Sequence, residues 1–120
     1  QTWSRDVPNK AEMTEDQDAT TQKNPLVRVG IIGGGPIGLY AAFALAETGR
    51  CEVVVWEAGP EIAANVASWG FVRLFSAMAL NVRPAVRAVL EARGRAIPDD
   101  ATYATGAEFR KAVLSPLADY

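Results

Sequence analysis

Gly33, Gly35 and Gly38 form G-x-G-x-x-G, and Glu57 follows the last of them by 19 positions. These residue types, at this spacing, suit the binding of a diphosphate and a ribose. Gly33 allows a tight turn in which φ can be positive. Gly35 carries no side chain, so the backbone can approach a pyrophosphate closely. Gly38 falls in the first turn of a helix and lets it pack near a strand. The unsatisfied N–H groups and positive dipole end of that helix would face the phosphates. Pro36 suits a helix start, since its fixed φ fits there and its missing N–H is not needed. A carboxylate at Glu57 can accept hydrogen bonds from the two hydroxyls of an adenosine ribose, and it would repel a 2′-phosphate.

The elements that must position these residues are legible around them. An apolar run, Val27 to Ile32, precedes the glycines, and a second, Val53 to Trp56, ends on Glu57. Both read as strands. The helix between them is expected from about Pro36 to Thr48, with Ile37, Tyr40, Ala41, Ala44 and Leu45 on its buried face and Gly49 as its stop. The fold class is therefore α/β, a Rossmann-like βαβ unit. Nothing after Glu57 reads as the third parallel strand such a unit requires, because Phe71 to Phe75 is short and carries Arg73 in its middle. We expect residues 25–120 to be the N-terminal part of a dinucleotide-binding domain, truncated or completed by a second polypeptide.

Composition narrows the chemistry. The chain has 120 residues, 49% of them hydrophobic, which suits one small folded domain. Its net charge is −2, with no basic stripe, so nucleic acid is not an expected partner. No apolar run is long enough for a membrane span, and a cytoplasmic location is expected. Histidine is absent and Cys51 is the only cysteine. No Ser-His-Asp mechanism, no C-x-x-C pair and no cysteine-based metal cluster can be built from this chain, and no metal site is expected. No catalytic residue can be named. Residues 1–24 are polar, with five acids and three bases, and read as a flexible leader; Trp3 within it reads as a stray exposed aromatic.

Two helices are expected later in the chain. One runs from Pro84 to Arg93, with Val86, Val89 and Leu90 at helical spacing and a stop at Gly94. The other follows a capping box at Thr105–Glu108, with Phe109, Val113 and Leu114 inward and Pro116 limiting its extension.

GGGPIG after a strand, followed by VVVWEAG, resembles the N-terminal FAD-binding segment of flavoproteins with two dinucleotide-binding domains. That group includes the flavin-containing monooxygenases and the pyridine nucleotide-disulfide oxidoreductases. WGFVRLFS at Trp69–Ser76 and TGAEFRKAVLSPLA at Thr105–Ala118 look like a bacterial-type FAD-dependent oxidoreductase branch. The resemblance implies that Gly33, Gly34, Gly35, Pro36, Ile37 and Gly38 hold the FAD pyrophosphate. Glu57 would hold the ribose, with Ala58 beside the adenine, and Arg73 would approach the flavin or its phosphates. It also implies an oxidoreductase acting on a small molecule. NAD(P)H would be a possible electron donor whose site is not in this chain, since a second G-x-G-x-x-G is missing, as are the paired cysteines of disulfide reductases. The alternatives are the NAD-binding domain of a dehydrogenase and a non-catalytic nucleotide-binding subunit.

Overall fold

The computed structural model describes Thr2–Trp3 and residues 25–120. The leader expected at residues 1–24 lies, apart from those two positions, outside the described residues. Element order is β1 (Thr2–Trp3), β2 (Val27–Ile32), α1 (Pro36–Glu47), β3 (Cys51–Trp56), α2 (Ala64–Ser68), α3 (Met78–Asn81), α4 (Pro84–Ala92), α5 (Gly106–Phe109), a π-helical turn (Arg110–Leu114) and α6 (Ser115–Ala118).

β2 and β3 pair in parallel, from Val27 opposite Cys51 to Ile32 opposite Trp56. α1 makes the crossover between them, which completes the expected βαβ unit. Thr2–Trp3 adds antiparallel to the other edge of β3, opposite Val53 and Val54, so the sheet order is β1-β3-β2. This two-residue strand is too short to show a period and has no signature in the sequence. No further parallel strand is present among the described residues. The segment from Phe71 to Phe75 contributes only an isolated bridge between Arg73 and Thr105.

Strand alternation sorts the sheet into two faces. Val53 and Val55 are fully buried against α1, with Val29 and Ile31 beside them in register. The opposite face carries Arg28, Gly30, Ile32, Glu52, Val54 and Trp56, and Ile32 there is 92% exposed. Trp56 lies across Gly30, where a Cβ would meet its ring at 2.4 Å.

The buried face of α1 differs from the expected one. Leu39, Ala42, Phe43 and Ala46 are buried, whereas Ile37 is 81% exposed and Ala41 and Ala44 are exposed. Tyr40 and Leu45 are half-buried. The helix is apolar nearly all round, so its period selects no face. The selection comes from Gly38: a Cβ at that position would lie 1.9 Å from the Gly33 carbonyl oxygen and 3.4 Å from Ile31. The helix can approach the strand only at its glycine, and Ala42 and Ala46 follow Gly38 one turn at a time.

Helices of the second half complete one core. Val66, Met78, Val86, Leu90, Val113 and Leu117 are buried together with Leu39 and Phe43, each burial being worth roughly 1.5–3 kcal/mol for a large aliphatic side chain. α4 starts at Pro84, as expected, and ends at Ala92, one residue before the expected Arg93, which is its C-cap; Gly94 follows in the left-handed region at φ 73°. The Thr105–Glu108 capping box is present, with Thr105 N–H donating to Glu108 Oε2 at 2.7 Å and Glu108 N–H to Thr105 Oγ1 at 3.2 Å. These bonds hold the Glu108 carboxyl below its ordinary range, the Thr105 backbone N–H first and its hydroxyl second. Pro116 does not end the helix. The π-helical turn precedes it, and its wider spacing accommodates a ring that would otherwise crowd the carbonyl of Ala112. The chain then closes on α1. Tyr120 meets Phe43 edge-to-face at 5.2 Å and donates its hydroxyl to Glu47 at 2.7 Å, while Arg93 sits 4.1 Å over its ring.

Candidate functional site

The turn between β2 and α1 is built by three glycines that the chain itself requires and one that it does not. Gly33 has φ 103°, in the region that side chains rarely adopt, and its N–H donates to the Trp56 carbonyl at 2.7 Å. Gly38 is required by its contact with the Gly33 carbonyl. A Cβ at Gly34 would meet Ile62 Cδ1 at 2.7 Å and Glu57 Oε2 at 3.1 Å. Gly35 is different. Its φ of −78° and ψ of −174° are open to any residue, and a Cβ there would have no neighbour within 4 Å. Neither conformation nor packing demands glycine at position 35. An added side chain would only fill the space in front of the α1 N-terminus.

That N-terminus is left open. Gly35 stands at the N-cap with no side-chain hydrogen bond, and Pro36 occupies the first turn. The N–H groups of Ile37 and Gly38 have no acceptor within the helix, so the first turn of this 12-residue helix offers donors and a partial positive charge. Ile37, exposed, flanks this opening.

Glu57 stands at the end of β3, next to the glycine turn. Its Oε2 accepts from the Gly34 N–H at 2.8 Å and its Oε1 from the Gly59 N–H at 2.9 Å. These donors hold its carboxyl below the ordinary 4.5, Gly59 first, then Gly34 and lastly Ala58, against a smaller opposing effect of desolvation. The carboxylate is thus ionised and fixed in orientation beside the turn, with lone pairs left for hydroxyl donors. The same segment returns to Gly34 from the other side. Ala63 donates its N–H to the Gly34 carbonyl at 2.9 Å, with Ala63 itself in the left-handed region at φ 58°.

Sequence reasoning thus placed Gly33, Gly34, Gly35, Pro36, Ile37, Gly38 and Glu57 in one locality, and the fold brings them together there. Ala58 follows Glu57 on the exposed turn. Arg73 belongs to the separate bridge with Thr105; its guanidinium donates to the Tyr103 carbonyl and lies in the field of Glu108. What sequence reasoning missed is the return segment Ile62–Ala63 and Arg110 behind it. The only local cue was Gly59-Pro60, which marks a turn but not its partner.

A family model described as an NAD(P)-binding Rossmann-like domain matches residues 31–93, more than half of the chain. The chain belongs to this family. No curated protein and no solved structure matches it. Membership agrees with the strand–glycine–helix–strand–acid order and makes this a dinucleotide-binding type of domain, of the kind found in oxidoreductases. Among the described residues, no helix is long and apolar enough to cross a membrane, and no group of three or more acids, cysteines or histidines is placed to hold a metal ion.

Proposed function

We propose that this Rossmann-like domain is the FAD-binding portion of a flavin-dependent oxidoreductase. The observation that carries this reading is Gly35, a glycine that the fold does not need, set before an uncapped helix start and beside an ionised Glu57. A ligand whose backbone-hugging group occupies that space supplies the missing reason for glycine. The donors and helix dipole suit an anion such as a diphosphate, and Glu57 suits a ribose diol. The whole run Gly33–Gly38 would cradle the pyrophosphate, with Ala58 beside the adenine.

Flavin is favoured over nicotinamide by Pro36 after the second motif glycine and by the Glu57-Ala58 strand end, the features that resemble flavoproteins. Bound there, FAD would supply the electron transfer, and this chain would bind and orient it. Arg73 would serve the flavin end, exchanging its bond to the Tyr103 carbonyl for a phosphate or ring contact. NAD(P)H as donor, the small-molecule substrate and a second polypeptide completing the sheet belong to the same proposal; the outer edge of β2, which pairs with no other strand among the described residues, supports the last. The second reading is a domain that binds NAD(H), favoured by the family description; Glu57 speaks against NADP(H), whose 2′-phosphate would face a carboxylate.

The test separates folding from binding. Gly35→Asp places a preferred N-cap residue at α1 and a negative charge where the diphosphate would lie. Stability is expected to hold or rise by a few tenths of a kcal/mol, while FAD affinity, followed by flavin fluorescence, drops at least about 100-fold, the size expected when charge-assisted hydrogen bonds are replaced by repulsion. NAD+ titrated in parallel decides the cofactor. Unchanged FAD affinity in Gly35→Asp removes the phosphate assignment.

A further inference from the structure

Gly34 is gripped from both sides by the segment that follows β3. Its N–H is held by Glu57, its carbonyl by Ala63 N–H, and its Cα face is covered by Ile62. The grip comes at a conformational cost. Ala63 is the one residue other than glycine with positive φ among the described residues, and such a conformation survives only where its surroundings determine it. It is fully buried and it opens α2, so the strain sits at the junction between strand end and helix.

The two residues before Ala63 are met by a side chain from the far end of the chain. Arg110 donates Nε–H to the Ile62 carbonyl at 3.2 Å, and its Nη2 meets Glu61 Oε2 at 2.6 Å. One planar guanidinium thereby fastens two consecutive residues immediately before Ala63. Arg110 is mostly buried, and it is the first residue of the π-helical turn. Insertions of this kind recur at functional positions because they re-aim side chains.

We propose that Arg110 is a positioning residue of the dinucleotide site. By fastening Glu61 and Ile62, it keeps Ala63 in its strained conformation against Gly34, so that the glycine turn and Glu57 are preformed before ligand arrives. It acts through Ile62 and Ala63 and is not assigned a contact with the ligand. The inference rests on the dinucleotide reading above and goes beyond it, since nothing in a glycine motif points to position 110.

The experiment uses the full chain without ligand first. Amide hydrogen exchange is followed at Gly34, Gly59 and Ala63, with Val55 of β3 as the internal reference, in wild type, Arg110→Gln and the control Arg93→Gln. Arg110→Gln is expected to speed exchange at Gly34 and Ala63 roughly tenfold while Val55 is unchanged, and to weaken FAD binding by about the same factor, as for loss of a hydrogen bond to a charged group. Arg93→Gln is expected to do neither. Should Arg110→Gln fail to fold, Glu61→Gln removes only the ion pair and is expected to give a smaller change at the same amides. Unchanged exchange at Gly34 and Ala63, or an equal rise at Val55, overturns the positioning role. If wild type binds neither FAD nor NAD+ while the exchange pattern appears, the dinucleotide reading fails and the clamp on Gly34 stands as a feature of the fold alone.

Discussion

At the scale of single residues, the site is controlled by which groups hold Glu57. Both its oxygens accept backbone N–H bonds, and its carboxyl is held below the ordinary 4.5. The unfolded chain therefore takes up a proton at Glu57 before the folded chain does. The stability contributed by these bonds is present above the ordinary glutamate range and is lost as pH falls through the lower folded value. Acid titration of wild type and Glu57→Gln, followed by thermal unfolding, should show the difference between them shrinking progressively as pH falls below about 5. FAD affinity at neutral pH should be weaker in Glu57→Gln by roughly 10–100-fold, the equivalent of about 1.5–3 kcal/mol for a hydrogen bond to a charged acceptor. A stability difference that persists to strong acid would place the stabilising effect elsewhere. Tyr40 titrates at the other end of the scale. Burial pushes its phenol up to about 12, against a smaller lowering by Arg83, and its hydroxyl donates to the Asn81 carbonyl. Its contribution is therefore complete below 10 and is lost as pH rises toward 12.

At the scale of elements, α1 shows what a sequence conveys and where it falls silent. Its ends were legible because Pro36 and Gly49 punctuate it, and the βαβ order was legible because two apolar runs flank a glycine turn. Its buried face was not, since Ile37, Tyr40, Ala41 and Ala44 look as apolar as Leu39, Ala42, Phe43 and Ala46. The decisive information lay in Gly38, which marks the point of closest approach, rather than in any periodicity. The helix through Pro116 is hidden for a related reason: proline signals a stop, and the π-helical turn that tolerates it has no sequence signature. Arg110 carries no local sequence signal because it acts across 48 positions. Gly38→Ala tests the first point. A methyl group 1.9 Å from the Gly33 oxygen must lift α1 off the strand, with an expected loss of about 2–3 kcal/mol, as for overpacking of a tight contact. Denaturant unfolding would measure it. A variant as stable as wild type would show that Gly38 does not set the helix position. Gly35→Asp, three residues earlier, is expected to leave stability intact, so the two glycines should separate cleanly into structural and ligand-facing roles.

At the scale of the molecule, the sheet is packed against α1 on one face, while the other face, among the described residues, leaves large apolar side chains exposed. Ile32 is 92% exposed and Trp56 57% exposed on that second face. The Arg28–Glu52 pair, at 3.5 Å and well exposed, does little to offset them. Such an edge and face invite association. Sedimentation of the purified chain is expected to show self-association that Ile32→Lys reduces without lowering the unfolding temperature; equal association in both proteins would locate the sticky surface elsewhere. The molecule also has a temporal order. β2, α1 and β3 are consecutive, so their pairing closes a short stretch of chain. Arg110, by contrast, follows Glu57 by 53 positions. During synthesis at roughly 5–20 residues per second, the glycine turn and its acid emerge about 3–10 s before the guanidinium that fastens them. On the proposed reading, a nascent chain carries the glycine turn through that interval in its unfastened form, open to a cofactor that would meet a set clamp once Arg110 has docked.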